Sequence, residues 1–346
     1  MLRKLILSSL TALAIAGAAW AQDDNTVATG LSNPRNIFLA EDGVLYVAEA
    51  GAGGDVDVEG PFGPAKGGLT SQITAISPDG ESAVVVPELV SMDAGFGQIE
   101  GATAVYVTAD SYWVALGMGP GGDAFDGKLV ESLVQISAET GEVLQSVDLG
   151  AWEEANNPDT TPELVSNPAD IAVEAEGKVY IADASANSVL TWTEADGIQL
   201  FAAWPATDND TQSVPTAVAI AADGDVYVGF LSGFPFAQGS ARIERYSASG
   251  ELEQTYSGLT LVTDILVTED GTLYAVEMAG GFGDTGYIPE SGRIVSVTDS
   301  SITAVAEGLN FPYGFVMEAD GSFLVTVDSA FGAPGSGRVI RVAGGM

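Results

Sequence analysis

Apolar and polar positions alternate with period two along most of the chain after residue 22, in runs too short for helices and broken by acid-Gly turns. One phrase recurs: an apolar pair, a turn of acid-Gly type, then a β-rich run ending on a polar residue. It reads NIFLAEDGVLYVAE from Asn36, DIAVEAEGKVYIAD from Asp170, AVAIAADGDVYVGF from Ala217, DILVTEDGTLYAVE from Asp264 and GFVMEADGSFLVTV from Gly314, with a weaker copy, AVYVTADSYWVALG, from Ala104. The turn acids Asp42, Asp110, Glu176, Asp223, Asp270 and Asp320 stand 68, 66, 47, 47 and 50 residues apart. Each phrase predicts a two-stranded hairpin. The runs SQITAIS, ESLVQIS, NSVLTWT, ARIERYS, GRIVSVT and GRVIRVA predict a third strand, and runs such as SITAVAE a fourth. No stretch shows helical periodicity with caps.

Four strands per unit without crossover helices predict an all-β fold, a six-bladed β-propeller. The last unit stops at GRVIRVAGGM, with no fourth run, while NTVATGL near the start parallels the text at Ser301 to Leu309. The N-terminal strand is therefore expected to close the last blade, which removes the open edges that a sheet otherwise exposes. A β-sandwich would not produce six spaced copies of one phrase. Ahead of this domain, Arg3 and Lys4, the apolar stretch Leu5 to Ala16 and Ala19-Trp20-Ala21 form the pattern of a secretory signal. Residues 1–21 are read as a signal peptide and 22–346 as a single propeller domain. The apolar stretch is shorter than the ~20 residues a spanning helix needs. The expected product is periplasmic or extracellular, with no membrane insertion after cleavage.

The chain has 346 residues, no Cys and no His, which removes imidazole bases, thiol nucleophiles, disulfides and His or Cys zinc sites. Its 11 Lys and Arg against 48 Asp and Glu give −37, and loss of Arg3 and Lys4 with the signal makes that −39. Nucleic acid is excluded as a partner, because phosphate contacts need cations that this surface lacks. Cations, salt or a basic partner suit it better.

Counting six residues back from each turn acid gives Asn36, Ala104, Asp170, Ala217, Asp264 and Gly314, and seven forward gives Glu49, Gly117, Asp183, Phe230, Glu277 and Val327. Asn36 with Glu49, Asp170 with Asp183, and Asp264 with Glu277 are expected to converge beside the central channel, with Glu100, Asn33 and Asn167 a few residues upstream. Carboxylate and amide oxygens suit a hard divalent cation, Ca2+ first. Equally, these acids can satisfy turn amides or lie in solvent. DVDVEG at Asp55 to Gly60 imitates the opening of a calcium loop, but Lys66 stands where its bidentate Glu belongs. The same hairpin end carries the long Gly-rich insertions, on what is expected to be one binding face. Phe62, Phe125, Phe234, Phe236, Phe282, Tyr287 and Phe331 punctuate them and are candidates to rim a ligand pocket, or else to anchor their own loops.

VATGLSNPRNI with DGVLYVAEAGAGG, WEEANNPD at Trp152 to Asp159, SNPADI at Ser166 to Ile171, and VPTAVAIAADGDVYVGFLSGFPFAQGSARIERY at Val214 to Tyr246 resemble the ScyD/ScyE family of secreted propellers across essentially the whole mature chain. The repeats are more distantly similar to NHL and gluconolactonase-type six-bladed propellers. The ScyD/ScyE resemblance implies fold and compartment rather than a reaction. The gluconolactonase likeness implies a divalent metal near the channel, for which Asn36, Glu49, Asp170, Asp183 and Asp264 occupy plausible positions. Quinone-dependent sugar dehydrogenases share the architecture but depend on a His base, which this chain lacks.

Two functions are expected first, and behind them a third, a periplasmic or extracellular partner in a secondary-metabolite pathway that binds an aromatic intermediate on the Phe-lined rim. The first is a module that binds a small molecule, a cation or a protein partner through its loop-rich face. The second is a metal-dependent, lactonase-like hydrolase with Asp170, Asp264 or Glu277 as base.

Overall fold

The structure, a computed structural model, describes residues 25–344 apart from 96, 122–123, 207–210 and 285. Residues 1–21, expected from the sequence to be a signal peptide, lie outside them. Six sheets follow one another along the chain. Their first strands are Pro34–Leu39, Ala102–Val107, Pro168–Val173, Pro215–Ile220, Val262–Val267 and Phe315–Met317. The second strands are Leu45–Glu49, Ser111–Leu116, Val179–Asp183, Val226–Phe230, Leu273–Glu277 and Phe323–Val327, each antiparallel to the first. The recurring phrase is this hairpin, including its weak copy at Ala104. The third strands begin at Gly63, Ser132, Ser188, Ala241, Gly292 and Gly337. In the sixth sheet the fourth place is taken by Thr26–Leu31, which pairs antiparallel with Gly337–Val342.

Second strands such as Val226–Phe230 are buried at every position, as expected of strands covered on both faces. Six apolar clusters lie between neighbouring sheets. One of them joins the sixth sheet to the first through Ala28, Leu31, Val47 and Val339. The first strands touch in cyclic order, the sixth returning to the first. Hydroxyls stitch neighbours together: Thr103 Oγ1 donates to Pro168 O at 2.7 Å, Thr216 Oγ1 to Val262 O at 2.7 Å, and Thr326 Oγ1 to Arg35 O at 3.0 Å.

Two expectations change. A helix spans Leu149–Asn156, where the sequence showed none. Asp148 caps it, its Oδ1 accepting from Ala151 N at 2.8 Å, and Asn157 ends it in the left-handed region. Eight residues containing Gly150 are too short to establish a period. Secondly, DVDVEG forms part of an added strand, Val56–Gly60, with Asp57 opposite Lys66 and their side chains ion-paired at the surface. It is an extended edge rather than a calcium loop.

Candidate functional site

The second and third residues of five of the first strands, and the two residues ahead of the sixth, stack as two layers around the axis. Arg35, Thr103, Ala169, Thr216, Thr263 and Tyr313 line a small cavity of about 150 Å³. The next layer is Asn36, Ala104, Asp170, Ala217, Asp264 and Gly314, each at the position equivalent to the others. Asn36 Nδ2 donates to Asp170 Oδ1 at 2.9 Å across the axis. Asp170 also accepts from Ile171 N at 2.8 Å and Val218 N at 2.9 Å, and Asp264 from Ile265 N at 2.8 Å and Phe315 N at 2.9 Å. Burial outweighs these donors and pushes Asp170 up to about 7. Burial, then the charge of Asp170, raises Asp264 well above the usual carboxylate range.

Glu49, Asp183 and Glu277 do not join that layer. Asp170 stands opposite Ala182, so Asp183 points from the other face of the sheet. Asp264 stands opposite Val276, which separates it from Glu277 in the same way. All three acids are buried and bracket the turn before their own first strand. Glu49 accepts from Ser32 N at 2.6 Å, Asp183 from Asn167 N at 2.7 Å, and Glu277 from Thr260 N at 2.6 Å and from the Arg293 guanidinium. Among the described residues, no group of three or more acidic side chains is placed to hold a metal ion.

Of the candidate aromatics, Phe234, Phe236, Phe282, Tyr287 and Phe331 gather. Phe282 is paired with Tyr287 across a two-residue hairpin, their rings 4.9 Å apart. Phe236 lies 5.4 Å from Phe282 and 5.3 Å from Tyr287, and Tyr287 lies 5.5 Å from Phe331. Phe311, which sequence reasoning missed, supports Phe331 from below at 5.3 Å. Gly97, at φ +78°, leaves room for Phe331, since a Cβ there would meet its ring at 2.4 Å. These rings, with Gln98 and Pro289, line a cavity of about 910 Å³ on the loop face, contiguous through Gln98, Tyr287 and Phe331 with the mouth of the axis. Phe236, Phe311 and Phe331 hold φ of 56°, 44° and 60°, backbone that bulky residues rarely adopt. Phe62 stands apart, 68% exposed, and Phe125 packs over Gly67.

At the mouth, Arg35 donates to Ser329 O at 2.9 Å and Ile99 O at 2.7 Å, with its guanidinium 4.8 Å from the Tyr313 ring centre. Glu100 is buried beside it. Desolvation raises its carboxyl, while Arg35 and Asn167 oppose that rise. Burial pushes Tyr287 and Tyr313 up to about 12, so both stay neutral. Arg35 went unnoticed in the sequence because it lies one position outside the register that aligned the acids.

No protein-family model matches the chain, and no curated protein matches it in sequence. Solved structures resemble it. A gluconolactonase from Xanthomonas campestris superposes with a TM-score of 0.55 at 10% identity, covering 92% of this chain and 89% of the other. A virginiamycin B lyase from Staphylococcus aureus does so at 0.50 and 14%, covering 93% and 87%. A luciferin-regenerating enzyme gives 0.51 and 11%, covering 91% and 92%. These neighbours are β-propellers, and at such identities the likeness concerns the fold alone.

Proposed function

We propose that the protein is an exported, closed six-bladed propeller of ScyD/ScyE type, and that its loop face binds an apolar, aromatic small molecule. One observation carries this: five candidate aromatics from three separate insertions meet, with Phe311, around one cavity of about 910 Å³. That volume falls in the range of small-molecule sites, and Phe234 at 71%, Phe331 at 45% and Phe282 at 41% leave a large apolar patch in water. Rings that only anchored their own loops would be covered. The ligand is neutral or cationic, because the field of a −37 chain repels anions while ring faces attract cations. Tyr287, Gln98 and the Arg35–Glu100 mouth supply the polar groups that orient it.

No observation singles out hydrolysis. Asp170 and Asp264 sit a layer below the mouth with backbone amides on their oxygens, and Glu277 is tied to Arg293.

The test is fluorescence titration with N-phenyl-1-naphthylamine, a neutral aromatic probe, against the anionic anilinonaphthalene sulfonate. The neutral probe binds the wild type more tightly, and Phe282→Ala weakens it by about tenfold, as truncation of an aromatic anchor does. Wild-type affinity in both Phe282→Ala and Phe234→Ala would refute the site.

A further inference from the structure

The strongest polar anomaly in the protein lies away from that face, between the second and third sheets. Strand alternation defines it. Ile181 and Leu190 belong to the apolar cluster that joins these sheets, so Asp183 and Ser188, two residues on and two residues back, point from the same face. Glu131, just ahead of the strand that carries Leu133, lays its carboxylate against the helix at Gly150, where an added Cβ would meet its Oε2 at 2.3 Å. The helix seats the fully buried Leu149 over the cluster, and Glu153, one turn later, follows it inward at 1% exposure. Asn157 lies one turn further on.

Both carboxylate oxygens of Glu153 are buried without a hydrogen-bond partner, as are Asn157 Oδ1 and Ser188 Oγ. Those are four of the six such side-chain atoms among the described residues. Buried oxygens are ordinarily satisfied, and a cluster of orphans marks a missing partner. All four are of the kinds that hard cations ligate. The charges acting on Glu131 and Glu153 are all acidic: Asp183 and Asp148 on the former, Asp183 and Asp159 on the latter.

The third sheet departs from the repeat. In the first and fifth sheets the acid that ends the second strand faces a donor on the third: Gln72 bonds Glu49, and Arg293 bonds Glu277. In the third sheet the equivalent acid, Asp183, faces Ser188 and takes its donors from Ser166 Oγ, Asn167 N and Ala186 N instead, which leaves Ser188 Oγ without a partner. Among the described residues no Lys or Arg pairs with Asp183 or Glu153, and the helix adds Glu153 as a second carboxylate.

The geometry points to a structural cation site, filled by Ca2+ or a similar hard divalent ion, held by Glu153, Asn157 and Ser188 in the field of Asp183 and Asp159. It clasps the helix to the third sheet and stands apart from the axial acids and from the aromatic cavity.

Terbium luminescence tests this on the full chain, because Trp152 adjoins Glu153 and can sensitise the ion. Wild type binds Tb3+ with sensitised emission that Ca2+ displaces, and Ca2+ at a hundredfold excess over its Kd raises Tm by about 4 °C. Glu153→Gln, which keeps shape and removes charge, weakens Tb3+ at least about tenfold and melts without a Ca2+ shift. Its metal-free Tm equals or exceeds that of metal-free wild type, so the loss is not one of folding. Asp264→Asn in the axial layer keeps the full response. The proposal is overturned by a wild type indifferent to Ca2+, Mg2+, Mn2+ and Tb3+, by a Glu153→Gln that responds normally, or by a response that Asp264→Asn abolishes instead. None of these results depends on whether the aromatic cavity binds its probe.

Discussion

Asp170 gives the sharpest quantitative test of the axial layer. Its carboxyl is buried at 7% exposure and lifted from 3.8 to about 7. The folded state therefore keeps a proton between about pH 4 and 7 that the unfolded chain releases near 3.8. Stability from this group is fully present below the unfolded value and is lost as pH rises through the folded one, worth about 4 kcal/mol in all. The other acids also repel one another less when protonated, so wild type alone cannot isolate the effect. Asp170→Asn can. It stays neutral throughout, and it gives up the acceptor that Oδ2 offers Val218 N, a cost of about 1–3 kcal/mol at every pH. In urea unfolding at pH 4.5, where about 1 kcal/mol of the proton's contribution has already gone, the wild type is then the more stable by up to about 2 kcal/mol. At pH 8 the order reverses by a similar amount. A wild-type-minus-variant difference that is flat between pH 4.5 and 8 would show Asp170 ionising normally, and would refute the raised carboxyl.

Other consequences follow from packing. Leu31→Ala, 3% exposed between the sixth and first sheets, costs about 2–5 kcal/mol in denaturant unfolding, and deleting Thr26–Leu31 abolishes cooperative unfolding by opening the edge at Gly337–Val342. Gly314→Ala destabilises by about 1–3 kcal/mol, because its Cβ would stand 2.6 Å from Asn36 Cα and 2.8 Å from Arg35 O, backbone atoms that cannot give way. Phe62→Ala leaves probe affinity and Tm within error in fluorescence titration and thermal melts, since Phe62 touches neither the aromatic cavity nor the core.

The architecture was legible because strands announce themselves locally. AEDG, AADG and TEDG sit between period-two runs, and the tight turns at Gly43, Gly224 and Gly271 take positive φ as those dipeptides require. The pairing of Thr26–Leu31 with the last strand was legible as a missing fourth run. Site geometry was only half legible. Position within the repeat does place Asn36, Asp170 and Asp264 in one layer, but a one-residue offset across a hairpin reverses the face, which is why Glu49, Asp183 and Glu277 turn away. Phe234, Phe236, Phe282, Tyr287 and Phe331 converge because their loops share one hairpin end, whereas Phe62 rides out on the added strand pair of the first sheet. Phe311 carried no signal, since it precedes a strand rather than lying in an insertion. Glu153 lies in a helix too short for a period, so its inward face emerges only from Leu149 beneath it.

The most direct test of the account is a crystal structure of the protein with N-phenyl-1-naphthylamine bound. It should show a closed ring of six blades, the probe lying among Phe236, Phe282, Tyr287 and Phe331 above the Arg35 mouth. A probe seated elsewhere, or those four rings closed over one another with no space between them, would contradict it.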